Sequence, residues 1–229
     1  MERVFLPDGT PLLMNQRLSF FVIPFLFFSL LATGQNDKGG HRLSIRGDFQ
    51  ALHESSSELF RKKMNGVIGG DLSVEYPLAS SFFIAGGGTL SHFERGGDPT
   101  NLLQEETTML SYGPFIKGGF RPYLSKTFYM EFSVKGIYRK LDFRSPRCKK
   151  LGNALHHGQT AFGMEPRIGF WWDTGDGLDF GAVLAHELLW ERFHEDLICE
   201  ELKPEPPDRK GKYRFWHFGF AFSADLKGK

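Results

Sequence analysis

Nine ionisable side chains recur at alternating positions along this chain. They are Arg46 and Asp48, Asp71 and Glu75, Glu131 and Lys135, Glu165 and Arg167, and finally His217. Each sits in a stretch where its neighbours two residues away are small or polar and the intervening residues are apolar. A strand sends successive side chains to opposite faces, so these charges share one face and the apolar residues the other. Acids and bases held together out of water form ion-pair networks, because an unpaired buried charge costs several kcal/mol. If water reached them, the same groups would mark a path for protons or small ions. Five acids against three bases leave the set short of cations, and Arg42 and Arg139 near the strand ends are candidates to complete it.

Two other constellations could support hydrolysis. Ser91-His92 and His186-Glu187 supply a hydroxyl, imidazoles and a carboxylate. A base must lie within hydrogen-bond reach of its nucleophile. These pairs come from the third and seventh strand segments, which topology places on opposite sides of a closed sheet. His186-Glu187-Leu188-Leu189-Trp190 has Trp where a zinc-protease motif has its second His, and no Cys/His spacing matches a zinc site. His156-His157 is expected in a solvated loop. No cofactor-binding motif is present.

Eight segments must position these groups. They run His41–Leu52, Met64–Tyr76, Ser81–Phe93, Thr108–Phe120, Thr127–Arg139, Gln159–Trp172, Leu178–Leu188 and Tyr213–Ala224. The last is the clearest statement of the pattern: Trp216, Phe218, Phe220 and Phe222 on one parity, with His217, Gly219, Ala221 and Ser223 on the other. About ten residues is the length a tilted strand needs to cross a bilayer. Connections alternate short and long: 77–80, 121–126 and 173–177 are short, whereas 53–63, 94–107, 141–158 and 190–212 are long and polar. Pro114 and Pro166 conflict with regular ladders and call for a bulge, a rim position or a revised strand. Residues 187–203 have apolar positions near helical spacing and suggest a short helix in the fourth long loop.

The 229-residue chain carries a formal charge of +1, which points to no nucleic-acid partner, and past the N-terminal region no apolar run is long enough for a membrane helix. Leu18–Leu31 is a short apolar run after Arg17 and before Ala32-Thr33-Gly34, the form of a cleaved signal peptide; an uncleaved anchor is the alternative. Residues 1–34 are therefore expected to be removed, with Met14 as the expected true start and 35–229 as the mature domain. In an oxidising compartment Cys148 and Cys199, an even pair on neighbouring long loops, are expected to form a disulfide; free thiols are the alternative.

The signal segment, the eight amphipathic strands, Gly69–Leu78 with its strand-then-turn form, and the run Ser111–Arg139 together resemble the small single-chain outer-membrane β-barrels of the OmpA/OmpX-like class. The resemblance covers about Gln35 to Lys229 and is one of pattern. It implies an all-β, eight-stranded, antiparallel up-and-down transmembrane barrel in the cell outer membrane, monomeric, without cofactor, in contact with outer-membrane lipid. Exterior loops would be available to a surface partner. No peptidoglycan-binding domain is expected beyond the barrel, so a tethering role is not implied. The expected role is structural or surface-interactive, with the charged face plugging the lumen. The alternatives are a lipid A-modifying barrel enzyme and a soluble exported barrel of the lipocalin kind, whose polarity would be the reverse.

Overall fold

A computed structural model describes residues 43–55, 64–79, 81–94, 107–146, 148, 152–153, 156–192, 197 and 212–226. Eight strands follow in chain order: β1 Ser44–Glu54, β2 Asn65–Pro77, β3 Phe82–Glu94, β4 Thr108–Phe120, β5 Phe128–Arg144, β6 His156–Asp173, β7 Leu178–Arg192 and β8 Lys212–Asp225. Each pairs antiparallel with the next, and β8 closes on β1. The result is a closed up-and-down barrel with no free edge, the only all-β solution to a solvent that cannot hydrogen-bond to the backbone.

The parity of each strand decides the faces. Phe220 is 72% exposed, Ile116 70% and Trp172 63%, all on the outer wall, while Lys135 and Glu165 on the inner wall are fully buried. A soluble barrel inverts this arrangement, so the lipocalin-like alternative fails on polarity. The wall spends its large apolar side chains on the outside because lipid is the solvent there.

Three tight connections join β2 to β3, β4 to β5 and β6 to β7. In the last, Gly175 and Gly177 both adopt positive φ, near 80°, which L side chains avoid. The Asp173 carboxylate accepts from the Gly175 N–H at 2.7 Å and the Thr174 hydroxyl donates to the Leu178 carbonyl at 2.6 Å. At the opposite rim β5 and β6 run 17 and 18 residues. At about 3.3 Å per residue they are longer than a bilayer needs and stand proud of it.

Neither proline is at a bulge or rim. Pro114 pairs with Gly88 on β3, but the β4–β5 ladder skips residues 113 and 114 and resumes in the same register at Phe115↔Ile137. Pro166 pairs with Val134 on β5, and the β6–β7 ladder skips 165 and 166 before resuming at Arg167↔Ala185. Each ring faces the outer wall, and its missing donor coincides with a short lapse in one ladder. Glu187–Arg192 is strand, not helix; its inward residues continue the period of two up into the extended wall. Leu197 is described, and the rest of 193–203 lies outside the described residues.

Candidate functional site in the barrel lumen

The inner face builds three connected groups of charge. Nearest the short turns, Arg46 on β1 places Nε 3.2 Å from Glu75 on β2 and also pairs with Glu131 on β5. It donates to the Tyr129 hydroxyl at 2.8 Å, which in turn donates to Asp179 at 2.7 Å. Lys117 lies 3.5 Å from Glu131 and 4.0 Å from Glu75. Arg121, from the β4–β5 turn, reaches back inside, pairing with Glu75 and meeting Glu131 at 3.1 Å. Aromatic faces hold these cations in place: the Arg46 guanidinium is 4.1 Å from the Trp171 ring and that of Arg121 is 3.9 Å from Phe83. At this rim burial first, then Asp173 and Asp179, push the Tyr123 phenol above its ordinary range.

The middle group solves a problem set by register. Asp48 and Asp71 are directly opposite on β1 and β2, a destabilising arrangement for like charges. Arg167 crosses the lumen from β6 to meet Asp48 at 2.8 Å and Asp71 at 3.3 Å, and touches Glu165 at 3.1 Å. Lys135 adds contacts to Asp71 at 2.6 Å and Glu165 at 2.9 Å. The upper group is centred on Glu187, held by both prongs of Arg139 at 2.7 Å. His217 turns Nε2 to Glu187 at 3.1 Å and Nδ1 to the Gln50 amide oxygen at 2.6 Å. Gln50 donates to Asp48 at 2.5 Å and so links the upper group to the middle one.

All nine residues expected on the charged face lie inside the barrel. Lys117, Arg121, Arg139 and Glu187 join them, so that these thirteen residues are six carboxylates, six lysines or arginines, and His217. Arg139 is one of the two cations that the sequence offers to complete the set. Arg42, the other, lies outside the described residues. Glu187 was obscured by the helical spacing of its neighbours, and Arg121 by its place in a turn. Parity along the longer β7 would have found the first. Nothing but the length of its side chain hints at the second.

Above the charges the inner face changes character. Leu52, Met64, Phe93, Met109, Leu141, Phe143, Leu189 and Phe215 form a buried apolar cluster between the network and the long-loop end. Phe93 and Phe215 approach to 5.0 Å between ring centres.

The hydrolytic constellations do not assemble. The Ser91 hydroxyl points inward and accepts from Arg139 at 3.2 Å. His92 lies on the opposite face, 3.0 Å from Glu94, and His186 is outside, stacked on Trp216 at 4.3 Å. The barrel wall separates Ser91 from both imidazoles. Glu165, Glu187 and His217 bring metal-ligand atoms within 4.8 Å of one another. Lys135 and Arg139 already neutralise the two carboxylates at 2.9 and 2.7 Å, so the geometry is that of an ion-paired cluster. Cys148 is buried and disulfide-bonded. Cys199, the only other cysteine of the sequence, lies outside the described residues.

A closed eight-stranded barrel, apolar without and charged within, is a transmembrane barrel of the outer-membrane type, and its place is the cell outer membrane. Among solved structures the chain is similar to Neisserial surface protein A, with 11% identity over 82% of this chain and 100% of that one and a TM-score of 0.53. It also matches OprG from Pseudomonas aeruginosa (13% identity, 82% and 99% coverage, TM-score 0.47) and Ail, the attachment invasion locus protein of Yersinia pestis (12%, 81% and 99%, 0.46). At such identities the likeness is one of fold. No family model and no curated protein matches the sequence.

Proposed function

We propose that this protein is a non-conducting, non-enzymatic outer-membrane barrel that serves as a rigid anchor for its exterior loops, which make its surface contacts. The observation that carries this reading is the burial of the charges on the inner face. Lys135, Glu165, Arg139 and Glu187 are all within 1% of complete burial, and an apolar cluster follows them toward the long-loop end. An ion entering would have to break pairs of 2.6–2.9 Å and then cross an apolar layer. An eight-stranded barrel has room inside for little more than its own side chains. A Cys148–Cys199 bond would tie two of the loops together, and non-reducing peptide mapping tests that part.

Reconstitution of the purified protein in planar bilayers, with single-channel recording, tests the reading. The expected trace is silent across the voltage range. Steady, reproducible openings with ion selectivity contradict it. Surface display is tested separately by protease treatment of intact cells, which should nick the long connections and leave the barrel whole.

A further inference from the structure

The lumen side chains leave one joint unmade. Gln50 ties the upper group of charges to the middle one. Among the described residues no hydrogen bond or ion pair joins the group nearest the short turns to the middle group. Between these two groups lies a small cavity. Arg46, Lys117 and Glu131 line it from the turn side, Asp48 and Arg167 from the middle group, and Trp171 completes the wall. It has room for about one water molecule.

Trp171 faces inward, whereas Trp172, Trp190 and Trp216 are exposed on the outer wall. Two glycines make space for its ring. A Cβ at Gly169, two residues back on β6, would come within 2.5 Å of Nε1. A Cβ at Gly181, the cross-strand partner on β7, would come within 2.8 Å of Cδ2. The Arg46 guanidinium lies 4.1 Å from the ring centre, and Tyr129 stacks parallel to it at 6.0 Å. The indole is thus fixed in a buried position, and its N–H has no acceptor among the described residues. Gly169, beneath Nε1, is itself part of the cavity wall, which sets that N–H at the cavity.

Two other groups at the cavity have capacity to spare. The Lys117 ammonium carries three donors, and its nearest carboxylate oxygens are those of Glu131 at 3.5 Å and Glu75 at 4.0 Å. Asp48 accepts from Arg167 at 2.8 Å and from Gln50 at 2.5 Å, which uses two of about four lone-pair sites. A guest that fits must accept from Trp171 and Lys117 and donate to Asp48. Water does both, and three partners is the usual number for a buried water. A halide ion accepts but cannot donate, and it would sit against the Asp48 and Glu131 carboxylates. Three bases and two carboxylates on the turn side, with two bases and three carboxylates in the middle group, leave no net positive charge to hold it.

We propose that this cavity is a binding site for a single water molecule, held by the Trp171 N–H, Lys117 and Asp48. The water joins the turn-side group to the middle group, a link that no side chain supplies directly. Through it the lumen charges become one continuous network, from Asp179 and Tyr129 at the turn end to His217 and Glu187 beneath the apolar cluster.

The test uses the full chain in detergent micelles, labelled with 15N at tryptophan, and measures magnetisation transfer between water and the indole protons. The Trp171 signal is the one that Trp171→Phe removes. In wild type its indole proton should show NOE and ROE peaks to water of opposite sign, the mark of a long-held water. Val183→Ile, which adds a methyl group to the cavity wall, should abolish those peaks while keeping the heat-dependent gel shift of a folded barrel. If that variant does not fold, Ala221→Val, from the same wall, takes its place with the same loss expected. Exchanging chloride for bromide should leave the Trp171 indole shift unchanged. Absence of the water peaks in wild type, or their survival in the folded filled variant, overturns the proposal. A bromide-dependent shift also overturns it, because the guest would then be a halide.

Discussion

Lys135 and Met109 are both sealed inside the same barrel, each with essentially no exposure. Around Lys135, Asp71 and Glu165 approach within 3 Å, and beyond them Arg167 ties β6 to β1 and β2. Met109 belongs instead to the apolar cluster, paired across the sheet with Phe93 and Phe143. The two levels are closed to solvent by different means. The charged level lies where the wall crosses the bilayer and the outer face is already committed to apolar residues. There an inner face of charges keeps each strand two-sided and fixes its register, because a slip by one residue would turn the whole set toward lipid. The apolar level belongs to the part of the wall that stands beyond the bilayer. A packed core works there as it does in any soluble domain.

If the two levels differ in this way, they should fail differently. Lys135→Ala removes the nearer of the two cations that Asp71 and Glu165 share and leaves them only Arg167. It should cost roughly 3–5 kcal/mol in urea unfolding from lipid vesicles. Met109→Ala removes packing and opens a cavity, with a cost of about 3 kcal/mol that a larger neighbouring side chain can partly restore. Lys135→Ala should not be rescued by volume, and such a rescue would erase the distinction.

The wall itself offers a smaller contrast. Gly87 and Gly86 are adjacent on β3 but face opposite ways. A Cβ on Gly87 would strike the Leu72 carbonyl, the Ser73 Cβ and the Phe115 ring, whereas one on Gly86 meets nothing within 4 Å. Gly87→Ala should therefore destabilise by about 1–3 kcal/mol and Gly86→Ala by no more than about 0.5 kcal/mol. Paired melting curves of the two variants check this, and equal shifts would show that the inward surface is looser than its contacts imply.

Much of this arrangement was legible in the residues. The period of two set Trp216, Phe218, Phe220 and Phe222 on one face and Asp71, Glu75, Glu165 and Arg167 on the other, because lipid and a charged lumen impose opposite demands on neighbouring residues; which face is the inner one is read from the closed barrel. The alternation of connections gave the up-and-down order. The apolar level was harder to see. Leu141 and Phe143 continue the parity of Arg139, but inward residues that turn apolar look like the end of a strand, not its extension. The full charge balance was also hidden. Arg121 belongs to a turn, and only the folded lumen shows that its guanidinium returns to Glu75 and Glu131. The register that sets Asp48 against Asp71, and Arg167 across from both, depends on strands far apart in the chain.

The lumen charges act as mutually dependent pairs. A double-mutant cycle on Arg139 and Glu187, whose two contacts are both 2.7 Å, tests that most directly. Arg139→Leu alone should cost roughly 3–5 kcal/mol by stranding a buried carboxylate, and Arg139→Leu with Glu187→Leu should recover most of that loss. If instead the two substitutions simply add, the charges are independent of one another and the lumen is not the paired network described here.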